Sequence, residues 1–491
     1  MEEEKKQHEH NSEPKFIKIK RFPFIMGIFL LIFLTAGITT IALTFGNDKA
    51  APIVAKTQGD HPEFNKLFSA YNTLKGQYYQ KTDDKTLVNG AINGMVEALG
   101  DPYSDYMTDK EAKSFHESIS SSFEGIGAEI QEQNSKIMVV SPIKGSPAEK
   151  AGLKPNDVIL SVNGKSLQGL SATEAVLKIR GKKGTKADLE ISRGDDANPI
   201  QVSIERDTIP IETVYPEMLS GGIARIQVTS FSDNTSKELE TAIGQMKKKN
   251  MKGLILDLRG NPGGLLDQAV KIASMFVPNG KVIVQVEDKA GKKEIIKSQN
   301  NGELKLPVVV LIDKGSASAS EIVSGAVSEA AGIKLIGEKS FGKGTVQTSQ
   351  DFSDGSNIKY TIAKWLTPNG NWIHKKGINP DIAVPLPSYA NLPFISPDKV
   401  LKQSMSSAET QSAQEMLKAE GYNPGKADGF FDEQTKSAVM KFQGDHSLKK
   451  TGIITGETTV KLMEILRNKI LANDTQVKKA EEVLKKELQS K

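Results

Sequence analysis

The chain has 491 residues, which is too long for one ordinary domain and predicts three or four domains of about 100 to 200 residues each. Its 64 basic and 60 acidic side chains nearly balance at a net charge of +4 without a long basic stripe, so we expect no nucleic acid partner. The lack of cysteine excludes disulfides, thiolate catalysis and cysteine-ligated metals.

The N-terminal region contains a stretch without charged residues between Arg21 and Asp48, which exceeds the ~20 residues needed to cross a bilayer. Basic residues precede it, so the positive-inside rule predicts a cytoplasmic tail at 1–21 and a transmembrane anchor at 22–47. A cleaved signal peptide is the alternative, although its apolar segment would be only about 7 to 15 residues long. Under either interpretation, the bulk of the chain is extracytoplasmic, and the first predicts a single-pass protein of the cell membrane.

The residue pattern in the middle of the chain changes twice. A linker at 48–60 leads to apolar spacing near 3.6 in 61–118, typical of short amphipathic helices. Residues 119–207 alternate short strand patterns with glycine turns and predict one compact β-rich module. In 208–386, two unbroken apolar strands, "KGLILDLRG" and "LPVVVLID", each precede a small-residue loop and a helix pattern. This unit indicates a sheet covered by helices, so the fold class is multidomain α/β.

The C-terminal part predicts helices. A linker at 387–405 is followed by a weak repeat in 406–467, in which Thr435 and Thr458 follow glycine turns and are expected to open amphipathic helices. The tail, 468–491, alternates in charge and predicts a solvated surface helix or a frayed end.

The segment "DKGSASASEIVSGAVSEAAG" places Ser316, Ser318 and Ser320 at the mouth of a predicted helix. A serine hydroxyl needs a neighbouring base before it can act as a nucleophile. Two candidates share the α/β domain, namely His374 and Lys343, which lies between two glycines. From the residues alone, each serine is a candidate nucleophile or a helix N-cap.

Lysine is ordinarily protonated at neutral pH, with a pKa near 10.4. Lowering that pKa to 7 costs about 4 to 5 kcal/mol. Burial can supply the shift, because full burial lowers a lysine pKa by up to ~3 to 5 units. The glycines that flank Lys343 would let the backbone close around the amine.

Four motifs, "DLRGNPGG", "GSASASEI", "SFGKGTVQ" and "LTPNGNWIHKKGINPDI", resemble those of the carboxyl-terminal processing peptidases, also called tail-specific proteases, and occur in the family's order. The resemblance implies a serine protease core in which Ser318 is the nucleophile, Lys343 the general base and Gln347 the residue that orients the lysine. It also assigns the oxyanion hole to backbone N–H groups at Gly264 and Ala319. Preorganised donors of this kind stabilise the charge that develops during acyl transfer.

The same family leaves the other two serines with a capping role and His374 with a structural one. "NPGG" is otherwise interpreted as a plain turn. The reaction would need neither a metal nor an organic cofactor, and the sequence contains no HExxH motif.

Residues 119–207 resemble the PDZ domain of bacterial proteases, which binds a chain terminus as an added strand and holds the carboxylate on a glycine loop. "FEGIGAEI" would supply that loop through Gly125, Ile126 and Gly127, although it is otherwise interpreted as a strand entry that contains glycine. Arg180 is interpreted as a sensor of the bound terminus, as a partner of the protease domain, or as a solvated surface residue.

Residues 406–467 resemble a small helical peptidoglycan-binding domain, with Asp432 where that family usually has glycine. The resemblance implies peptidoglycan as a partner, and contacts within a homodimer are the alternative role.

Together these features predict a membrane-anchored serine endopeptidase outside the cytoplasm that cleaves protein or peptide substrates at or near their exposed C-termini. The PDZ-like module would deliver or gate these substrates. One competing hypothesis is a wall-tethered scaffold with an inert α/β domain. Another is a lytic wall enzyme, but the C-terminal region lacks a carboxylate pair or zinc site for it.

Overall fold

The computed structural model describes residues 62–133, 135–194, 199–300 and 304–490. The predicted cytoplasmic tail, transmembrane anchor and first linker lie outside these residues. Among the helices that fall within them, none has both the length and the apolar character required to span a bilayer.

The first described residues, up to Leu87, form one unit, and a second unit extends from Val88 onward. Helix α1 (Pro62–Gln77) and the start of α2 (Asp84–Glu97) belong to the first unit, where Lys75 donates a hydrogen bond to Asp84 at 2.8 Å. The second unit continues with β1 (Asp105–Met107), α3 (Asp109–Ile119) and β2 (Ser122–Gly125). The helical spacing of this part of the sequence is therefore confirmed, with a short strand interrupting it.

The β-rich module that follows has its own apolar core. Its elements are β3 (Ala128–Gln133), β4 (Lys136–Pro142), α4 (Pro147–Lys150), β5 (Val158–Val162), β6 (Lys165–Ser166), α5 (Ala172–Ile179), β7 (Lys186–Ser192), β8 (Ile200–Glu205) and β9 (Asp207–Pro210). The sheet has the order β3-β4-β5-β7-β8, with β6 paired to β5, while β9 pairs with β2. Alternate residues of β7, including Leu189 and Ile191, are fully buried in this core, as a sheet with one covered face requires.

The α/β domain contains two sheets. Its elements in chain order are β10 (Val214–Met218), β11 (Ile223–Val228), α6 (Thr235–Lys248), β12 (Gly253–Asp257), α7 (Leu266–Ser274), β13 (Val282–Asp288), β14 (Lys293–Lys297), β15 (Val308–Ile312), α8 (Ala319–Ala331), β16 (Lys334–Gly337), β17 (Thr345–Asp351), β18 (Asn357–Leu366) and β19 (Ile382–Ala383). Short 3-10 helices lie at Ser220–Gly222 and Ser388–Asn391. Both predicted strand, loop and helix units are confirmed, as β12 with α7 and β15 with α8.

The larger sheet has the order β10-β11-β12-β15-β16-β19 and is parallel from β11 onward. Leu254 and Leu256 of β12 pack into the core formed with α6, α7 and α8, whereas Ile255 points to the opposite face. Since strands buried on both faces read as continuous apolar runs, "GLIL" and "VVVLI" have the composition of central strands.

The opposite face of this sheet is covered by the last helix of the chain, α12. The C-terminal helices are α9 (Ala408–Ala419), α10 (Glu433–Asp445), α11 (Gly456–Ala472) and α12 (Thr475–Gln489). Ala480 and Leu484 of α12 are fully buried against Ile255, Val309 and other strand residues. The prediction of a solvated or frayed tail is therefore wrong for this face, because the charged positions of α12 conceal an apolar stripe.

Helices α9 to α11 enclose a separate core that includes Phe431 and Phe442. The predicted helix starts at the two threonines are also wrong. Asp432 is the N-cap of α10 and accepts a hydrogen bond from the Thr435 N–H at 2.7 Å, and Thr455 is the N-cap of α11. Asp432, the departure from the family pattern, is thus the cap itself.

The smaller sheet of the α/β domain is built around strand β18. Strand β18 pairs with β17 along one edge and with β1 and β13 along the other, and β14 pairs with β13. Strand β17 therefore forms an edge of this sheet in the described chain. Five consecutive residues of β17, 345–349, line the cavity described next.

Candidate active site

A cavity of about 570 Å³ lies where the two sheets of the α/β domain meet. Ser318, Lys343 and Gln347 all line it, as do Gly264 and Ala319. The structure thus brings together five residues that the sequence singled out from three separate motifs. Apolar side chains complete the wall, among them Phe231, Leu266, Ile322 and Val346.

Ser318 lies between strand β15 and helix α8 in a strained backbone conformation, with φ of 53° and ψ of −111°. Non-glycine residues rarely adopt positive φ, and such strain clusters at functional sites. Ser316 and Ser320 are fully buried, and their hydroxyls donate to the Leu258 and Asn261 carbonyls at 2.8 and 2.9 Å. Of the three serines, Ser318 alone lines the cavity.

The "NPGG" loop packs directly on the Ser318 loop. At Gly263, with φ of 107°, an added Cβ would lie 2.9 Å from the Ser318 Cβ and 2.8 Å from the Ala317 carbonyl oxygen. Gly264 forms a bridge with Phe231, and a Cβ there would meet the Phe231 carbonyl oxygen at 2.1 Å. Both positions therefore require glycine. This close packing is more than the plain turn that was the alternative interpretation of "NPGG" would need.

Two backbone N–H groups next to Ser318 have no hydrogen-bond acceptor among the described residues. Within the described residues, neither the Gly264 nor the Ala319 N–H donates a hydrogen bond to another protein atom. Both residues border the cavity, so these donors are available to a ligand. Asn261 joins the two loops, because its Oδ1 accepts the Gly263 N–H and its carbonyl accepts the Ala317 N–H, at 2.8 and 3.0 Å.

Lys343 lies in a tight loop between β16 and β17. Its flanking glycines are required, because a Cβ on Gly342 would lie 2.8 Å from the Gly377 nitrogen and one on Gly344 2.9 Å from the His374 nitrogen. The Lys343 carbonyl accepts a hydrogen bond from the Trp365 indole at 2.9 Å. The backbone thus closes around this lysine as the glycines predict.

Burial lowers the pKa of Lys343, and the nearby positive charge of Lys359 lowers it further, while the carboxylates of Asp101 and Glu321 act in the opposite direction. Its ammonium lies 4.9 Å from the centroid of the Tyr103 ring. In the described part of the chain it makes no ion pair. A lysine in this environment can be neutral more often than one in water.

The Gln347 amide does not contact Lys343 by a hydrogen bond among the residues that the structure describes. Its Nε2 donates instead to the Thr345 and Thr361 hydroxyls, at 2.9 and 3.1 Å. In this conformation Gln347 therefore makes no hydrogen bond to the lysine that it is expected to orient.

Glu321 was missed by the sequence analysis although it lies in the same motif as the serines. Its carboxylate is fully buried on the first turn of α8 and accepts four hydrogen bonds. The donors are the N–H groups of Ser318, Gly342 and Lys343, at 2.9, 2.7 and 2.8 Å, and the Ser340 hydroxyl, at 2.6 Å. One side chain therefore joins the serine loop to the lysine loop. The glutamate is visible in "SASEI", but three of its four partners, Ser340, Gly342 and Lys343, lie 19, 21 and 22 residues further along the chain.

His374, the alternative base, lies outside the residues that line the cavity. Its ring stacks on Trp372 with centroids 5.2 Å apart, and its Nδ1 accepts the Gly344 N–H at 3.3 Å. It supports the lysine loop from behind. The described residues also contain no cluster of three or more histidine, aspartate or glutamate side chains arranged to hold a metal.

In the β-rich module, the predicted carboxylate loop connects β2 to β3. Gly127 has φ of 75° and its carbonyl accepts hydrogen bonds from the Ile143 N–H and the Ser146 hydroxyl, while Ile126 is buried. Within the described chain, β3 pairs only with β4, so its other edge is free. Helix α5 lies beside β3, which leaves a groove of the kind that accepts an added strand.

Arg180 ends helix α5 and is not freely solvated. Its guanidinium forms an ion pair with Glu117 at 2.7 Å and lies 4.3 Å from the centroid of the Phe123 ring. Glu117 belongs to α3, and Phe115 and Ile119 of the same helix line the cavity. Arg180 is thus paired with helix α3, which also lines the cavity that contains Ser318.

Family models match four segments of the chain. They are peptidase family S41 at 222–384, the PDZ domain at 117–192, a putative peptidoglycan binding domain at 406–462, and the N-terminal domain of the activating protease CtpB at 39–112. These matches follow the order of the domains described above.

Curated relatives cover almost the whole chain. Carboxy-terminal processing protease CtpA of Bacillus subtilis (strain 168) is 51% identical over 465 residues, which is 94% of this chain and 99% of that protein. CtpB of the same strain is 42% identical, over 88% of this chain and 91% of that protein. A probable CtpA-like serine protease of Staphylococcus aureus (strain COL) is 40% identical, over 98% and 96%. The chain therefore belongs to peptidase family S41, as a serine-type protease of the carboxy-terminal processing group.

Proposed function

We propose that the chain is a serine endopeptidase that uses Ser318 as nucleophile and Lys343 as general base to cleave protein substrates at or near their C-termini. One observation carries the proposal. A strained serine and a lysine whose pKa is lowered by burial line the same cavity, beside two backbone N–H groups that have no acceptor in the described part of the chain.

In the first half of the reaction, the neutral amine of Lys343 takes the proton of the Ser318 hydroxyl as Oγ bonds to the carbonyl carbon of the substrate. The Gly264 and Ala319 N–H groups would donate to the oxyanion that forms. As this intermediate collapses, the carbon–nitrogen bond breaks. The Lys343 ammonium then returns its proton to the leaving amine.

The second half repeats these steps with water. Lys343 takes a proton from a water molecule as the water oxygen attacks the carbonyl carbon of the Ser318 acyl ester. The carbon–Oγ bond then breaks, and the proton passes back to Ser318. Gln347 would orient the lysine in both halves through its amide oxygen, because its amide nitrogen donates to the two threonine hydroxyls.

Substrate delivery is assigned to the β-rich module, with Gly125, Ile126 and Gly127 receiving the terminal carboxylate. The free edge of β3 supports this assignment because a peptide can add there as a strand. Arg180 would report occupancy through its ion pair with Glu117.

The remaining parts of the proposal concern location and partners. The charge-free stretch of the N-terminal sequence supports a membrane anchor with the protease outside the cytoplasm. The match at 406–462 supports peptidoglycan as a partner of helices α9 to α11. A homodimer is the alternative role of that region.

The test uses full-length protein and an unfolded substrate with an apolar C-terminus. Ser318→Ala and Lys343→Ala should abolish turnover, whereas His374→Ala should retain most of it. Lys343→Arg should also be inactive, because a guanidinium stays protonated. Activity in Lys343→Ala together with its loss in His374→Ala would assign the base to His374.

The same assay tests the scaffold hypothesis, which membership of a protease family does not favour. Uncut substrate beside well-folded wild-type protein would support it. Comparison of envelope and secreted proteins between wild type and Ser318→Ala would then identify natural substrates by their trimmed C-termini.

A further inference from the structure

A turn just after helix α2, "DPYS", contacts the residues around the proposed base. The Asp101 carboxylate accepts hydrogen bonds from the Thr361 hydroxyl at 2.6 Å, the Ser104 hydroxyl at 2.7 Å and the Tyr103 N–H at 3.1 Å. Thr361 lies on strand β18, 260 residues further along the chain. It is also one of the two threonines that accept a hydrogen bond from Gln347.

The direction of these hydrogen bonds follows from Asp101. An ionised carboxylate only accepts, so the single hydroxyl proton of Thr361 points toward Asp101. The Thr361 oxygen can then only accept from Gln347, which must therefore present its amide nitrogen. Burial raises the pKa of Asp101, but the hydrogen bonds from Ser104 and Thr361 outweigh this effect and lower it, so the carboxylate is ionised at neutral pH.

The Gln347 amide is thereby fixed in one orientation. Its two N–H protons are used by Thr361 and Thr345. The side-chain carbonyl oxygen of Gln347 therefore stays available as an acceptor, which the Lys343 ammonium needs. If Thr361 instead donated to Gln347, the amide would reverse and its N–H groups would be left for Lys343, which has no acceptor in its charged form.

Tyr103 of the same turn lies next to the lysine. The Lys343 ammonium lies over its ring, 4.9 Å from the ring centroid, within the range of a cation–π contact. Burial raises the pKa of the Tyr103 hydroxyl, and the Glu321 and Asp101 charges raise it further, so the ring stays neutral.

We propose that the Asp101–Tyr103 turn is a positioning element for the general base, which fixes the Gln347 amide through Thr361 and covers the Lys343 ammonium with the Tyr103 ring. The proposal rests on the Ser318/Lys343 chemistry proposed above. It adds three positioning residues, Asp101, Tyr103 and Thr361, none of which needs to contact the substrate.

The main test is Thr361→Val, which removes the hydroxyl with little change in shape. We expect kcat to fall about 10- to 100-fold, because a misplaced catalytic group typically costs that much, with KM nearly unchanged. The pH at which kcat/KM reaches half its maximum should move lower, because the ammonium loses an acceptor that favours its charged form. Thr361→Ser keeps the hydroxyl and should recover most of the rate.

A double-variant cycle separates a relay from a general structural effect. The rates are compared as kcat on the pH plateau of each variant, where the direct effect of the Asp101 charge on the Lys343 pKa no longer alters the rate. There Asp101→Asn acts through Thr361 if the relay exists, so Asp101→Asn with Thr361→Val should be no slower than the slower single variant. Tyr103→Phe, which keeps the ring, should be faster than Tyr103→Leu. Multiplying losses in the double variant would contradict the relay, as would a wild-type kcat and pH profile in Thr361→Val.

Ser318→Ala and Lys343→Ala, measured in the same full-length protein and assay, separate the two proposals. Turnover in either of them would overturn the Ser/Lys chemistry itself. If both are inactive while Thr361→Val equals wild type, only the positioning role is wrong. Thermal unfolding of each variant shows whether it is folded, and Thr361→Ser and Tyr103→Phe keep the test decisive if Asp101→Asn fails to fold.

Discussion

Two fully buried carboxylates of the protease core, Asp257 and Glu321, differ in what surrounds them. Asp257, at the end of β12, is held by the guanidinium groups of Arg225 and Arg259, at 2.8 and 2.7 Å. Arg259 also pairs with Asp474 at the start of α12. Glu321 has no basic partner among its four donors, which are three backbone N–H groups and one hydroxyl.

This difference in surroundings indicates that Asp257 serves stability, whereas Glu321 serves the alignment of the catalytic loops. The Asp257 cluster fastens the last helix to the back of the sheet, where burial disfavours the charge of Arg259 but two carboxylates outweigh it and raise its pKa. Glu321 fastens the serine and lysine loops to each other at the front. Breaking a buried ion pair costs about 3 to 5 kcal/mol, whereas leaving one buried neutral donor without its partner costs about 1 to 3 kcal/mol. We therefore expect substitutions in the two regions to have different readouts.

The largest effect should come from Asp257→Asn. This change leaves two guanidinium groups without their buried partner and should lower the free energy of unfolding by about 5 kcal/mol, the upper part of the range for a broken buried pair. Denaturant unfolding measures the loss. The kcat of the folded fraction should stay within about tenfold of wild type, and a larger loss of kcat in well-folded protein would break the comparison.

Acid unfolding provides a second measurement of the same cluster. Burial raises the pKa of Asp257, but hydrogen bonds and charge from Arg259, with the charge of Arg225, outweigh it and lower the pKa. The ionised group therefore contributes stability above the ordinary carboxyl pKa of ~3.9, and this is lost as the pH falls through the lower folded value. Wild type should lose stability below about pH 4 more steeply than Asp257→Asn.

Glu321→Gln should have the next largest effect, on rate instead of stability. Glu321 accepts the Ser318 and Lys343 N–H groups on one oxygen and the Gly342 N–H and Ser340 hydroxyl on the other, so a carboxamide must turn its NH2 group toward one of these pairs. We expect kcat to fall about 1,000-fold, equivalent to about 4 kcal/mol, with a smaller change in unfolding free energy. A kcat near that of wild type would show that the two loops are held by other contacts.

Leu484→Ala tests the contribution of α12 to stability without changing any charged residue. Leu484 of α12 is fully buried against the sheet, and its truncation should cost about 3 kcal/mol of unfolding free energy. Leu471, which is 58% exposed near the end of α11, is the matched control and should cost less than about 0.5 kcal/mol. Equal effects of the two substitutions would mean that α12 does not cover the sheet in solution.

Lys359→Met should give the smallest effect, a shift of the pH profile. Lys359 lines the cavity, and after burial its charge is the main cause that lowers the pKa of Lys343. Removing that charge should raise the Lys343 pKa, so that kcat/KM reaches its plateau at a higher pH and the rate at pH 7 falls modestly. The measurement is a pH profile of kcat/KM, and a shift toward lower pH would contradict the assignment of Lys343 as base.

The sequence by itself determined the domain order, the strand, loop and helix units of the core, and the motifs that carry Ser318, Lys343 and Gln347. These features are local, because an apolar run, a glycine at a crowded turn or a small-residue loop leaves its mark within about ten residues. The family resemblance then chose among the three serines, which spacing alone left open.

Only the tertiary structure decided which of these residues meet and what supports them. Glu321 joins loops that are 21 or more residues apart, and Asp101 contacts Thr361 across 260 positions. The apolar stripe of α12 was concealed by its alternating charges until the sheet provided a surface to bury it. Such contacts depend on long-range packing and on the direction of single hydrogen bonds, and neither leaves a periodic signal in the sequence.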